Sequence, residues 1–144
     1  MKNCLLLPLF LLSAALACGA DKSTGGPRGG RLLESSPLAA EFLVTPERRI
    51  EITFLDSQRQ PVAPGTRVVA VTAEPKSGRT PLALTRTATG FVSTAALPSP
   101  GETYRVVVQI RENAEARPQN FRIDLNLAPC GECKLAEYAC TCTH

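Results

Sequence analysis

The 144-residue chain contains no tryptophan, one methionine and one histidine, and only 5% of its residues are aromatic. So few aromatic side chains cannot form the extended stacking surface on which proteins hold single-stranded nucleic acid. The sole histidine is the last residue, His144, so no Ser–His–Asp arrangement is available. Paired-carboxylate and phosphate-binding motifs are also missing. These absences predict that the protein is not an enzyme and has no evident small-molecule substrate.

Long apolar runs are scarce as well, and one covers residues 5–17 at the N-terminus. This run is shorter than the ~20 helical residues that span a bilayer. It follows Lys2 and ends in the small-residue sequence Ala15-Leu16-Ala17. That pattern is typical of a secretory signal. We therefore predict a signal peptide over residues 1–17 and export of the remainder.

The residues around Cys18 allow two interpretations. Ala15-Leu16-Ala17 fits ordinary signal peptidase, and with Cys18 it resembles a bacterial lipobox, although leucine is more usual at position 15. We favour the lipobox, in which the Cys18 thiol is acylated, because an unmodified N-terminal thiol is a liability in an oxidising compartment. A plain secreted protein is the alternative.

Lipidation at Cys18 would anchor the chain to a membrane of the cell envelope, facing the periplasm. Gly19 stands where a retention signal would need Asp, so an outer-membrane lipoprotein is the expectation in a Gram-negative host. Residues 18–38 combine glycine, serine and proline without hydrophobic periodicity. They are predicted to form a flexible tether with a reach of about 25 Å.

Residues 39–128 carry short alternating runs separated by turn signals. Ile50, Ile52 and Phe54 recur at every second position, which places them on one face of a strand. Strands are predicted near residues 41–45, 49–54, 67–73, 82–84, 91–94, 104–111 and 121–127. About seven strands at regular spacing indicate an all-β fold, a small antiparallel immunoglobulin-like sandwich, with a short cysteine-rich knuckle after it.

This region also resembles the FixH-like and YtkA-like periplasmic β-sandwich group over residues 41–127. Two sets of turn and strand residues carry the resemblance: Gln60-Pro61-Val62, and Leu97-Pro98 with Gly101, Tyr104, Val106 and Val108. It implies an immunoglobulin-like fold and a role beside metal handling or copper-enzyme assembly, with no catalytic residues to carry over. The histidine and methionine ligands of periplasmic copper binders are missing, since the chain has only Met1 and His144.

Residues 129–144 form a cysteine-rich tail, because Pro129 ends the last strand. Its spacing is C-x2-C-x6-C-x-C-x-H, and the candidate metal ligands are Cys130, Cys133, Cys140, Cys142 and His144. A C-x2-C turn brings two sulfurs close together, and alternate side chains of an extended segment share one face. Four thiolates suit Zn²⁺ or Cu⁺, with His144 replacing one sulfur or lying just outside the ligand set.

A continuous helix from Cys133 to Cys140 would hold the two residues about 10 Å apart, too far to share one ion. At most one helical turn is therefore predicted between them, followed by a returning strand. Two other states stay open for the thiols. An exported protein meets oxidants, so the four cysteines can form two disulfides and hold no cofactor. A redox-active C-x2-C is the third state, but that motif normally opens a helix in an α/β fold.

The net charge is +3, and the arginines are scattered along the chain rather than clustered, so nucleic-acid binding is not expected. The sequence as a whole predicts a membrane-anchored, non-catalytic metal-handling or accessory module. The alternative is a structural lipoprotein with two tail disulfides that docks a periplasmic protein partner.

Overall fold

The computed structural model describes residues 25–142. Within them, nine strands form two antiparallel sheets, which confirms the predicted all-β sandwich. The strands are β1 Arg31–Ser35, β2 Leu38–Val44, β3 Ile50–Phe54, β4 Val68–Glu74, β5 Thr80–Leu82, β6 Leu84–Arg86, β7 Gly90–Ser93, β8 Tyr104–Arg111 and β9 Gln119–Leu125. One sheet has the order β1-β2-β3-β7-β6, and the other has the order β5-β4-β8-β9. The same residues include no helix of the length and apolar character that a membrane crossing needs.

The core lies between the two sheets and is filled by alternate residues of the central strands. In β3, Ile50, Ile52 and Phe54 are buried, whereas Glu51 and Thr53 between them are partly exposed. Strand β8 repeats the pattern with four buried residues, Tyr104, Val106, Val108 and Ile110. This alternation explains why the sequence predicts these two strands with nearly correct bounds.

The N-terminal part of the described chain differs from the predicted tether. Arg31–Ser35 form β1 and pair with β2, and Leu33 is only 2% exposed. The flexible tether predicted over residues 18–38 is therefore wrong for the part that forms this strand. Burial of Leu33 and Leu38 supplies apolar stabilisation that offsets the conformational entropy lost on ordering a glycine-rich segment.

A buried carboxylate fixes the loop that precedes β1. Glu41 is 1% exposed, and its Oε1 accepts hydrogen bonds from the N–H groups of Arg28 at 2.9 Å and Gly30 at 2.8 Å. The guanidinium of Arg28 in turn pairs with Glu51 on β3. The loop therefore lies against β2 and β3. Its backbone amides supply the Glu41 carboxylate with hydrogen bonds that replace those lost to water on burial.

The strand predicted near residues 82–84 is in fact two strands in different sheets. Leu82 of β5 pairs with Val71 of β4, whereas Leu84 of β6 pairs with Ser93 of β7. The chain changes sheets at Ala83. As a consequence, β5 covers only residues 71–73 of β4, and the first half of β4 has no strand on that side within residues 25–142.

Candidate metal centre

Four cysteine side chains of the tail converge beyond the end of β9. The Sγ atoms of Cys130, Cys133, Cys140 and Cys142 all lie within 4.8 Å of one another. Cys130 is 3% exposed, and the other three are half-buried. The convergence expected from the spacing is therefore confirmed, while the binding of an ion stays a prediction.

The first cysteine pair lies in a tight backbone turn. The N–H of Cys130 donates to the carbonyl of Leu135 at 2.7 Å, and the N–H of Lys134 donates to the carbonyl of Cys130 at 3.2 Å. Lys134 has φ 63°, the left-handed conformation that lets the chain reverse. The strained position of this turn is Lys134, whereas Gly131 has open space around it.

The second pair is carried back to the first by a short 3-10 helix, Glu137–Ala139. Before it, Pro129 and Ala136 form an isolated antiparallel bridge. Within it, the N–H of Glu137 donates to the carbonyl of Ala128 at 2.8 Å. The tail thus has the predicted knuckle and short turn, and no continuous helix separates the two pairs. The returning strand predicted after the turn is wrong, because residues 140–142 come back to the first pair without pairing as a strand.

The knuckle is anchored to the sandwich through Tyr138, which is 3% exposed. Its ring packs edge-on against Phe42 of β2, with 5.7 Å between the ring centroids. Its hydroxyl oxygen accepts a hydrogen bond from the N–H of Val44, and its backbone carbonyl accepts one from Arg31 Nη1 at 3.2 Å. The cysteine cluster is therefore held against β1 and β2. Leu135 extends the contact of the tail to the segment before β1, because a methyl group placed on Gly25 would lie 2.8 Å from Leu135 Cδ1.

The sulfur separations of the four described cysteines are compatible with one shared ion, and no pair of them is at disulfide length. Cys130 Sγ and Cys140 Sγ lie 3.2 Å apart, whereas an S–S bond is about 2.05 Å long. None of the four described cysteines is in a disulfide. Ligands at about 2.3 Å from a tetrahedral zinc ion would have their sulfurs about 3.8 Å apart. The sulfur separations would change by up to about 1 Å to reach that geometry.

Hydrogen bonds to sulfur shift the pKa values of Cys130 and Cys140 in opposite directions. The backbone amides of Cys133 and Glu132, together with the Cys140 thiol, lower the pKa of Cys130 to about 6. The amide of Cys142 acts to lower the pKa of Cys140, but hydrogen bonding to Cys130 and burial outweigh it and raise that pKa to about 12. In the reduced protein without metal, Cys130 is therefore the first of this pair to become a thiolate, the form that binds metals.

The remaining predicted site residues, Cys18 and His144, lie outside the described residues, as do the signal peptide and Cys4. Tyr138, Leu135 and Arg31 were not predicted from the sequence as part of the site. The one signal available for Tyr138 was that it is an aromatic residue between the two pairs of cysteines.

Comparison of the chain with protein-family models, with curated proteins and with solved structures finds no match. The resemblance to the FixH-like and YtkA-like group therefore stays a prediction. The class that the fold and the site define is a nine-stranded antiparallel β-sandwich that carries a four-cysteine knuckle at its C-terminal end.

Proposed function

We propose that the protein is an exported, membrane-anchored module that binds one transition-metal ion through Cys130, Cys133, Cys140 and Cys142. The observation that carries the proposal is the convergence of four sulfurs within 4.8 Å of one another. Three of them are half-buried and one is buried, so the protein shields the site only in part. The anchor is Cys18, whose thiol is acylated and which becomes the first residue of the mature chain when residues 1–17 are removed.

The donor set indicates which ions fit. Four thiolates form a closed tetrahedral site, which is typical of structural Zn²⁺ and also accepts the soft ion Cu⁺. Since all four positions of a tetrahedral ion are taken by protein sulfur, no position is left for a substrate or a reactive water. The proposed role is therefore to hold metal and to close the tail against the sandwich, without catalysis.

A second candidate is a structural or interaction lipoprotein in which the same cysteines form two disulfides. The observation that favours it is the 3.2 Å contact between Cys130 Sγ and Cys140 Sγ, which makes this the natural first pairing. The second bridge would then join Cys133 to Cys142. Export to an oxidising compartment would supply the conditions for both bonds.

One experiment separates the two candidates. The full-length protein is extracted from the cell envelope, its metal content is measured by mass spectrometry, and its thiols are titrated under denaturation with and without a reductant. One equivalent of zinc or copper with reactive tail thiols supports the metal site. No metal, with tail thiols that appear only after reduction, supports the disulfides and overturns the metal proposal.

The anchor is tested separately, because it does not depend on the state of the tail. Cys18→Ser should move the protein from the membrane fraction to the periplasmic fraction and leave its metal content unchanged. Cys133→Ser serves as the matched control: it should remain in the membrane fraction but lose its metal.

A further inference from the structure

A second feature lies away from the cysteine knuckle, where β5 leaves β4 and crosses to the other sheet. A cleft of about 410 Å³ opens between the first half of β4 and β6. Its lining comes from β4, β5, β6 and β7 and from Arg67, which directly precedes β4; no residue of the tail contributes. The proposed metal site does not use it.

The backbone of β4 presents hydrogen-bonding groups to this cleft. Pro81 of β5 has no N–H and stands opposite Thr72, so the ladder between β4 and β5 is carried by the residues on either side, Val71 and Ala73. Because backbone groups alternate direction along a strand, Val69 points its N–H and carbonyl to the same side as Val71. Among the described strands, none lies opposite Val69 on that side.

The backbone of β6 faces the same cleft. The N–H of Thr94 donates to the carbonyl of Ala83, and the N–H of Thr87 donates to the carbonyl of Gly90, both at 2.9 Å. These two bonds show that Ala83 and Thr87 direct their backbone groups toward β7. Because backbone groups alternate in direction along a strand, those of Leu84 and Arg86 point away from β7. The cleft is thus bordered by two strand edges of the kind to which an extended chain can add.

The side chains of the cleft are apolar at its base and basic at its border. Leu82, Leu84 and Phe91 line it, and Val68 beside it is 43% exposed. Two of the lining residues, Arg67 and Arg86, are basic, and none of the described lining residues is acidic.

Both arginines are held in place by neighbours. The guanidinium of Arg67 lies 5.0 Å from the ring centroid of Phe54 and pairs with Glu112 at 3.1 Å. The guanidinium of Arg86 lies 5.7 Å from the ring centroid of Phe91 and donates to the carbonyl of Gly65. Their positions beside the cleft are therefore set before any partner arrives, which lowers the entropy cost of binding.

We propose that this cleft is an acceptor site for an extended, acidic segment of a partner protein, which adds as a strand to the open edge of β4. Its main chain pairs with Val69, an aliphatic side chain enters the apolar base, and flanking carboxylates face Arg67 and Arg86. Strand addition of this kind takes its affinity from main-chain bonds and its specificity from side-chain pockets. A second copy of this chain is a poorer occupant, because residues 67–73 of its own β4 edge carry no carboxylate that could face Arg67 and Arg86.

The test uses three fluorescent peptides and the full-length protein in detergent micelles. The first peptide alternates valine and aspartate, the second alternates valine and lysine, and the third is the aspartate peptide with N-methylated backbone amides. We expect the aspartate peptide to raise fluorescence anisotropy on titration and the lysine peptide to bind at least about tenfold more weakly. The N-methylated peptide should not bind, because it cannot form the ladder.

Two variants locate the binding on the protein. Val69→Pro removes an N–H that points away from β8, so the ladder between β4 and β8 is retained while strand addition is blocked. Arg86→Gln should weaken binding of the aspartate peptide about tenfold, whereas Arg122→Gln, an exposed arginine of β9 outside the cleft, should not.

Three results would overturn the proposal: no binding of the aspartate peptide, equal binding of the aspartate and lysine peptides, or undiminished binding of the N-methylated peptide. The last comparison needs no protein variant, so it decides the matter even where Val69→Pro prevents folding.

Discussion

Val44 donates its backbone N–H to the hydroxyl oxygen of Tyr138 at 3.0 Å, across 94 positions of the chain. This bond joins the end of β2 to the 3-10 helix that separates the two cysteine pairs. Because the Tyr138 ring also packs on Phe42 in the core, the cysteine cluster is positioned by the sandwich as well as by its own turns. The geometry of the candidate metal site should therefore respond to changes at Tyr138.

Tyr138→Phe keeps the ring in the core but leaves the N–H of Val44 without its acceptor. We expect it to lower the free energy of unfolding by about 1 kcal/mol, since one partly buried hydrogen bond is lost. Metal affinity should fall in the same variant, because the knuckle is less firmly held. Urea denaturation and competition with a metal chelator measure the two effects.

Tyr104→Phe is the matched control for that prediction. It removes a comparable bond, from the Tyr104 hydroxyl to the Pro98 carbonyl at 2.7 Å, which joins β8 to the loop before it rather than to the tail. It should cost a similar free energy of unfolding and leave metal affinity unchanged. An equal loss of metal affinity in both variants would contradict the anchoring role of Tyr138.

Removal of the metal should destabilise the protein. An ion that binds only the folded state stabilises it by mass action, so a chelator such as EDTA is expected to lower the Tm of the zinc-loaded protein. Cys140→Ser, which removes one ligand, should have a low Tm that no longer responds to the chelator. Differential scanning calorimetry measures both, and a chelator effect of equal size in the variant would argue against this cluster as the binding site.

Much of the fold could be predicted because its central strands are buried on one face. Residues 50–54 and 104–110 alternate strictly, and that period is sufficient to identify a strand and its inner face. The change of sheet at Ala83 could not be predicted, since Leu82 and Leu84 have the spacing of one strand and only their partners differ. In the strand predicted over residues 67–73, valines stand on both faces, so the sequence lacks the alternation that would identify Val68, which is 43% exposed, as an outward residue.

The candidate metal site, too, could be predicted from the sequence only in part. The four cysteines could be predicted to meet because their spacing is local and a continuous helix between the pairs is too long. Strand β1 was missed because the glycines around it suggest a coil, whereas Leu33 packs in the core. The anchoring role of Tyr138 depends on Phe42 and Val44, whose proximity arises only when the sandwich has formed.

The tyrosine titration provides a pH-dependent test of the fold. Burial raises the pKa of Tyr104 and of Tyr138 above the ordinary value of 10.0, and these are the two tyrosines of the chain. A folded-state pKa above the unfolded value means that their contribution to stability is present below pH 10.0 and is lost as the pH rises through the folded values.

Ultraviolet titration of phenolate in the native protein should therefore give a midpoint above that in denaturant, and the absence of tryptophan keeps the spectrum simple. The urea midpoint should also decrease above about pH 10. Identical titration curves for the folded and denatured protein would contradict the burial of both side chains.

The close approach of the N-terminal loop to β2 predicts a strong effect of one methyl group. A Cβ added at Gly30 would lie 2.4 Å from the backbone carbonyl oxygen of Phe42, which cannot move without disturbing the sheet. Gly30→Ala should therefore lower the free energy of unfolding by about 1–3 kcal/mol and speed amide hydrogen exchange at Arg28, whose N–H bonds to Glu41. Gly131→Ala is the matched control, because a methyl group there meets no atom within 4 Å. Equal stability of the two variants, measured by denaturation under reducing conditions, would show that residues 26–30 do not lie against β2.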